Sequence, residues 1–336
     1  MSRPALAGPR LAAMTAAAMV AFAANSVLTR IALADGMIAA DRFAAVRIAS
    51  GAAMLVLLIS LRSLWRDRAS QRRQFRGERL RGGLPQGGLS QGGLSQGGLS
   101  QGGLFMGGLA GLARLPRPGW AAGVGLFVYM AGFSFAYLRL DTGTGALILF
   151  GMVQATMLGA GLAAGERLPA LGWAGLALAL AGLVALLSPG DTAPDALGAL
   201  AMLAAGAGWG FYSLAGRGVA DPLAATTVNL LACLLPLVAL DLLIGGAASS
   251  GAGVGYAVAS GAVASAIGYA LWFAALSGLT ASRAATVQLS VPVIAVLGGV
   301  VFLAEPVTLR LVLASLATLG GVALVVGAKT RQAAPH

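Results

Sequence analysis

The chain has 336 residues, of which 58% are hydrophobic and only 10% charged, and its mean hydropathy is +0.86. This composition excludes an ordinary soluble protein and indicates a polytopic membrane protein. The 22 basic residues outnumber the 11 acidic ones, but they fall mainly between apolar runs. We therefore interpret them as topology signals rather than as a nucleic-acid surface.

Cysteine and histidine are almost absent. The chain has one of each, Cys233 and His336, so an intramolecular disulfide is excluded and histidine-based catalysis or a metal cluster lacks its ligands. An intramembrane aspartyl enzyme would need two acids at depth, which the spans do not offer. The sequence therefore predicts neither an enzyme nor a cofactor or metal site.

Ten apolar runs are long enough to cross the membrane as helices, since about 20 residues span the hydrocarbon. They are unbroken runs of Ala, Leu, Val and Gly rather than the alternating pattern of a β-barrel strand. The predicted spans are 11–33, 43–61, 121–138, 144–164, 171–188, 195–214, 223–244, 255–276, 284–304 and 309–328. The predicted fold class is an all-α integral membrane protein.

The distribution of arginine predicts the orientation. Placing the N-terminus in the cytoplasm puts most basic residues on the cytoplasmic side, even when the basic loop after the second span is set aside. The positive-inside rule then favours two cytoplasmic termini. The first span resembles a secretory signal, but it continues past the small residues at Ala21–Ala23, so we expect it to be retained. An arginine-rich composition with abundant Ala and Gly suggests a bacterial inner-membrane protein.

An internal repeat divides the chain into two halves. The segment Gly165–Pro169 after the fourth span is similar to Ala304–Thr308 after the ninth, which pairs Glu166 with Glu305. Gly182 and Gly321 are separated by the same number of residues. Because each half holds five spans, an odd number, the second half starts on the opposite side of the membrane. The sequence thus predicts two inverted five-helix repeats.

The domain organisation follows from the repeat. Residues 1–61 hold the first two helices of the first repeat and 119–190 its last three, whereas 191–328 form the second repeat and 329–336 a cytoplasmic tail. The insert at 62–118 combines a basic run with tandem QGGLS repeats. We expect the basic part to attract anionic lipid headgroups. The glycine-rich repeats have too few apolar residues for a core, so we expect the insert to be disordered.

The chain resembles the EamA type of the drug/metabolite transporter superfamily, which has ten transmembrane helices. The resemblance covers all of the chain except about 62–118. It rests on Gly165–Leu168, on Gly268–Leu276, on Leu289–Val293 and on Ala304–Pro306. It implies a transporter of small polar or amphiphilic metabolites, often an exporter. One departure is the run Met152-Val153-Gln154, where the family usually has a proline.

Arg30 and Arg47 are the only full charges expected within spans. A charge at the bilayer centre is costly, so such a residue is a functional candidate by default. If the two arginines line a central cavity, they would attract a carboxylate or phosphate of the cargo. The alternative is that each long side chain reaches water at the end of its span.

Uncharged polar and aromatic residues at mid-depth are further candidates for cargo binding. Buried amides need partners, and these residues come from both halves, as a shared midplane site requires. The alternative for each is interhelical packing. The set comprises Asn25, Gln154, Trp209, Tyr212, Tyr269, Trp272, Gln288 and Ser290.

The resemblance also selects Glu166, Pro292 and Glu305 as family-motif residues. Both glutamates are expected at helix ends on opposite membrane faces, where a structural role at the helix terminus is the favoured alternative. Pro292 removes a backbone donor within the ninth span, either beside a transport site or as a tolerated kink. With no carboxylate well inside a span, proton coupling through a buried acid has little support.

The sequence therefore predicts a secondary transporter that works by alternating access, with a small metabolite as cargo. The chain has no GxxxxGK[ST] motif that would bind ATP. The alternative is a non-transporting receptor or scaffold that acts through the basic cytoplasmic insert. The expected partners are the cargo and membrane lipids rather than nucleic acid, and the sequence leaves the oligomeric state open.

Overall fold

A computed structural model describes residues 8–80, 120–165, 167–190, 193–215, 219, 221–244, 249–276, 278–279 and 287–333. Within these ranges the chain is helical, with no strand beyond a single bridge between Ile38 and Ser249. The ten helices are α1 (Pro9–Ala34), α2 (Ala40–Leu80), α3 (Trp120–Ala136), α4 (Thr142–Ala163), α5 (Ala170–Leu187), α6 (Ala196–Ala215), α7 (Pro222–Ile244), α8 (Gly251–Leu276), α9 (Ser290–Leu303) and α10 (Leu309–Ala333).

Each helix overlaps one of the ten predicted spans, which confirms the all-α fold. Eight of the described helices are long and apolar enough to cross a membrane. In α3 and α9 the apolar stretches are shorter, Ala121–Ala136 and Ser290–Leu303. The protein is therefore an integral membrane protein with multiple apolar helices.

Helix α2 is longer than predicted. The apolar part ends near residue 63, but the helix continues to Leu80, through residues 62–80 that the sequence assigned to the insert. This stretch has seven arginines, which are good helix formers, and only one glycine, Gly77. The QGGLS repeats lie outside the described residues.

Helix α8 contains an internal π-helix. Residues Gly251–Val258 and Gly268–Leu276 are α-helical, whereas Ala259–Ile267 between them are π-helical. A π-helical turn changes which residues face a given neighbour, and such segments occur often at functional sites. Hydropathy does not reveal this change, because the segment is as apolar as its flanks.

Helix α9 begins at Ser290, several residues after the predicted start of the ninth span. Pro292 therefore lies in the first turn, where backbone N–H groups have no partner within the helix and a proline removes no helical hydrogen bond. Residues 287–288 are helical as well, so the described chain has a break at Leu289, three residues before the proline. At the other end Ala304 is left-handed, with φ 52°, and its backbone N–H donates to the carbonyl of Gly299.

Most helix contacts have a counterpart when α1–α5 are exchanged for α6–α10, although those of α4 with α10, α1 with α4 and α4 with α5 have no counterpart of similar extent. Helix α2 contacts α7, α4 contacts α9, and α5 contacts α10, so each of these contacts joins a helix to its own counterpart. The contact between α3 and α6 corresponds to the contact between α8 and α1. The contact between α2 and α8 corresponds to the contact between α7 and α3. At the α5–α10 crossing a Cβ on Gly182 would meet Thr318, and one on Gly321 would meet Ala179. These two glycines are the pair matched by the internal repeat.

Candidate functional site

A cavity lies between helices of both halves, with about 450 Å³ of space that protein atoms do not fill, part of it open to solvent. Its walls come from α1, α3 and α4 of the first half and from α6, α8 and Gln288, two residues before α9, in the second. The lining residues are Phe22, Asn25, Ser26, Tyr129, Phe133, Leu149, Phe150, Trp209, Ala264, Ser265, Tyr269 and Gln288.

A chain of buried hydrogen bonds joins four helices at the wall of the cavity. Ser260 donates its hydroxyl to Oδ1 of Asn25 at 2.6 Å, and Nδ2 of Asn25 lies 3.5 Å from the hydroxyl oxygen of Tyr129. Nη2 of Arg47 donates to the same oxygen at 3.1 Å. Asn25, Tyr129 and Ser260 thus find partners across the two halves.

Arg47 is the largest fully buried side chain among the described residues, with 1% of its surface exposed. Its guanidinium lies 4.7 Å from the ring centroid of Phe133 and 5.5 Å from that of Tyr129. Such cation–π contacts contribute about 0.5–2 kcal/mol each, whereas placing the charge at depth costs at least about 2.5 kcal/mol. Its Nε and Nη1 atoms have no hydrogen-bond partner among the described residues. The charge is therefore only partly compensated.

Aromatic rings form the apolar part of the cavity. The rings of Trp209 and Tyr269 are stacked, with centroids 5.5 Å apart and an angle of 19° between them. Tyr129 also packs against Trp209, with centroids 4.8 Å apart, and Phe22 packs against Tyr269 at 5.9 Å. These contacts fix large, rigid surfaces that favour a flat or bulky apolar group.

Two polar groups of the cavity come from the second half. The hydroxyl of Ser265, in the π-helix, is buried and has no partner among the described residues, and Gln288 contributes an amide to the lining. A buried hydroxyl without a partner is unfavourable. A ligand that bonds to Ser265 would remove this cost.

A second polar cluster lies where α1 ends and α4 begins. Both carboxylate oxygens of Glu305 accept from the backbone N–H of Thr142, at 2.9 and 2.8 Å, and Oε1 also accepts from the Thr142 hydroxyl at 3.1 Å. Arg30 lies 3.5 Å from Glu305 and 3.6 Å from Asp141, and it donates to the carbonyl of Tyr137 at 3.0 Å. We call Arg30, Tyr137, Asp141, Thr142 and Glu305 the Glu305 cluster.

The Glu305 carboxylate stabilises a helix terminus. The first N–H groups of α4 have no partner within the helix, and a negative charge there interacts favourably with the helix dipole. Burial raises the pKa of Glu305 above its ordinary value and outweighs the hydrogen bonds from Thr142, which lower it. The favoured alternative from the sequence, a structural role for Glu305, agrees with this geometry.

The structure brings together four of the predicted cargo residues. Asn25, Trp209, Tyr269 and Gln288 line the cavity. Arg47 does not line the cavity. It donates a hydrogen bond to the hydroxyl oxygen of Tyr129, which does.

The other predicted residues lie elsewhere. Arg30 belongs to the Glu305 cluster and does not line the cavity. Tyr212 donates to Thr226 at 3.0 Å, and Ser290 donates to the carbonyl of Val287 in the preceding turn. Gln154 and Trp272 are outside the lining, Trp272 packing edge-on against Phe22.

The family-motif residues are separated from the cavity. Pro292 is buried in α9 and Glu305 lies in its own cluster. Glu166 falls outside the described residues, so its pairing with Glu305 stays a prediction.

Sequence reasoning missed several residues of the site. Tyr129 is a polar aromatic residue in the middle of the third span, and the rule that selected Tyr269 would also have selected it. Ser260 and Ser265 gave no usable signal, because serine is common in apolar runs and their roles depend on the π-helix. Within the described part of the chain, no group of three His, Cys, Asp or Glu residues could hold a metal ion.

The family and the fold are also visible in comparisons with known proteins. The EamA-like transporter family matches residues 196–327. The uncharacterized protein PA1977 of Pseudomonas aeruginosa is 45% identical over 323 residues, which covers 96% of each chain. A protein of known crystal structure shares the fold with a TM-score of 0.55 and 21% identity, over 96% of this chain and 99% of that one. The chain therefore belongs to the EamA-like transporter family.

Proposed function

We propose that the protein is a secondary transporter that exports a small metabolite across the bacterial inner membrane by alternating access. Both termini lie in the cytoplasm in this proposal, as the arginine distribution predicts. Export is the direction that the family resemblance implies. The chain acts as a transporter and not as an enzyme.

The observation that carries the proposal is the cavity shared by the two halves. Seven of its lining residues precede residue 190 and five follow it. A site at the interface of two repeats can be exposed to either side when the halves rock against each other. A receptor or scaffold needs no cavity between its halves with partly unsatisfied polar groups.

The helix contacts support an inverted duplication. Gly182 meets Thr318, and Gly321 meets Ala179. Gly321 follows Gly182 by the same number of residues as Thr318 follows Ala179. The second contact is therefore the first contact with the two halves exchanged. A two-fold axis in the membrane plane would produce such an exchange.

The Glu305 cluster is a second observation that supports alternating access. Arg30, Asp141 and Thr142 belong to the first half, whereas Glu305 belongs to the second. These bonds hold the halves together at one end of the bundle. In our proposal this end is the periplasmic one, and the bonds break when the transporter opens outward.

The basic segment after the second span has a separate role. We propose that the arginines after Arg62 hold anionic lipid headgroups at the cytoplasmic surface. Arg62 itself is paired with Asp221 at 3.3 Å, so the start of this segment is tied to the beginning of α7.

Metabolite profiling of cells that express the protein tests transport. Targeted mass spectrometry would compare extracellular carboxylates, amino acids, nucleosides and amines for wild type, Trp209→Ala and a deletion of residues 82–112 that leaves α2 intact. We expect a compound that accumulates outside with wild type and with the deletion variant but not with Trp209→Ala, at equal amounts of protein in the membrane.

The same measurement addresses the scaffold alternative. A scaffold that acts through the insert would lose its effect in the 82–112 deletion and would be indifferent to Trp209→Ala. A profile that follows the insert rather than the cavity would therefore overturn the transport proposal.

A further inference from the structure

The hydrogen bonds around Tyr129 determine which way its hydroxyl points. An arginine can only donate, so the bond from Nη2 of Arg47 occupies the Tyr129 oxygen as an acceptor. Asn25 donates to the same oxygen through Nδ2, while its Oδ1 accepts from Ser260. With Arg47 and Asn25 both donating to the Tyr129 oxygen, its own O–H is left as a donor at the cavity wall, where the Tyr269 hydroxyl is its neighbour and a cargo acceptor would compete for it.

The charge behind Tyr129 is not neutralised by the protein. Among the described residues no carboxylate lies within ion-pairing distance of Arg47, in contrast to Arg30, Arg42, Arg62 and Arg139, each of which is paired. Arg47 is also the most deeply buried of these five arginines. A buried charge normally has a counter-ion, so a negative group is missing here.

We propose that the cargo is a small organic carboxylate whose anionic group accepts a hydrogen bond from Tyr129 and is neutralised by the Arg47 guanidinium behind it. This inference rests on the proposed transport function and adds the chemical class of the cargo. Arg47 acts through Tyr129 and is a positioning residue, whereas Tyr129 touches the cargo.

The other lining residues determine which chemical groups the rest of the cargo carries. Phe22, Phe150, Trp209 and Tyr269 supply aromatic surface, and Ser265 supplies a hydroxyl without a partner among the described residues. A carboxylate attached to an apolar ring or branched chain would cover the aromatic rings while its oxygens meet the donors. A hydrophilic dianion would leave the aromatic wall without a contact.

Three probes of similar size and different charge test the proposal: benzoate, benzyl alcohol and benzylamine. Thermal unfolding of the purified full chain would be followed with each probe at concentrations up to about 50 mM. A ligand that binds the folded state raises the melting temperature according to its concentration relative to Kd. We expect a saturable shift with benzoate and none with benzylamine or benzyl alcohol.

Tyr129→Phe removes only the hydroxyl and should weaken benzoate binding about tenfold or more, the usual effect of losing a hydrogen bond to a charged group. Tyr212→Phe is the matched control, since Tyr212 is a buried tyrosine that bonds to Thr226 and lies outside the cavity lining. It should bind benzoate like wild type.

Arg47→Met removes the charge but keeps a long side chain. We expect this variant to lose the preference for benzoate over benzyl alcohol, and Arg47→Lys to restore part of it. A purely structural arginine would change the melting temperature without changing the order of the three probes.

A shift with benzylamine or benzyl alcohol equal to that with benzoate, no shift with benzoate, or an unchanged benzoate shift in Tyr129→Phe would each overturn the inference. Failure of the transport proposal has a different signature, because the metabolite profile would then not depend on Trp209. Export of an amine that depends on Trp209 would leave transport standing and refute the carboxylate assignment.

Discussion

Glu305 and Thr142 connect the two halves of the protein through a helix cap. The carboxylate follows α9 in the second half, and it accepts two bonds from the first backbone N–H of α4 and a third from the Thr142 hydroxyl. A helix N-terminus in the first half is therefore stabilised by a charge from the second half.

Glu305→Ala should destabilise the protein by about 1 kcal/mol, since it removes every hydrogen bond to Thr142 and leaves the first N–H of α4 without its partner. Arg30 also loses one of its two carboxylate neighbours. The measurement is thermal unfolding in detergent at neutral pH. Glu305→Asp, which keeps the charge but shortens the reach to Thr142, should also be less stable than wild type, and a wild-type melting temperature in both variants would refute the cap.

The raised pKa of Glu305 predicts how stability depends on pH. The folded state holds the proton more tightly than the unfolded state, where the pKa of Glu is about 4.3. The contribution of this group is therefore fully present below the unfolded pKa and is lost as pH rises through the raised folded pKa. Melting curves from pH 4 to 8 should show this decline in wild type, and the difference between wild type and Glu305→Gln should isolate it.

Substitutions of Arg30 and of Arg47 are expected to have different effects, although the sequence makes both arginines candidates for the same reason. Arg30 is paired with Glu305 and Asp141, so Arg30→Gln should lower the melting temperature by the equivalent of about 1 kcal/mol, the upper part of the range for partly exposed pairs. It should leave the benzoate shift intact, because Arg30 does not line the cavity. Loss of the shift in Arg30→Gln at an unchanged melting temperature would reverse the two assignments.

The fold could be predicted to the level of the helices. The thickness of the bilayer sets the length of each apolar run, and this signal is local in the sequence. The end of α2 was missed because hydropathy reports the span and not the helix, and Arg and Glu prolong a helix in water. The π-helix of α8 was missed because its residues are as apolar as those beside it.

The site was predicted only in part, for a physical reason. Asn25, Trp209, Tyr269 and Gln288 were selected by polarity at mid-depth, which is a local property. What distinguishes Arg30 from Arg47 is the presence of Glu305, which is distant in the chain and adjacent only after folding. Pairing across the two halves could not be read from either half alone.

Close packing of α2 against α8 predicts a sharp effect of a single methyl group. A Cβ on Gly261 would overlap the carbonyl of Arg47 and the hydroxyl of Ser50, whereas a Cβ on Gly255 of the same helix would meet nothing within 4 Å. Gly261→Ala should therefore cost about 1–3 kcal/mol or more, and Gly255→Ala should be neutral or slightly stabilising. Equal melting temperatures for the two variants would show that α2 and α8 are farther apart.

The α5–α10 crossing gives a test of the internal repeat. A Cβ on Gly321 would meet the backbone of Gly175 and Ala179, and one on Gly182 would meet Thr318, whereas Gly320 has open space around it. Valine is β-branched, so its intrinsic cost to helix stability is the same at all three positions, and the variants differ only in packing. Gly182→Val and Gly321→Val should therefore lower stability by similar amounts, about 1–3 kcal/mol more than Gly320→Val, as measured by thermal unfolding. If Gly321→Val were as stable as Gly320→Val, α5 and α10 would not be in close contact at this point. If Gly182→Val were tolerated and Gly321→Val were not, the two contacts would not be equivalent. The two-fold relation between the halves would then lose its support.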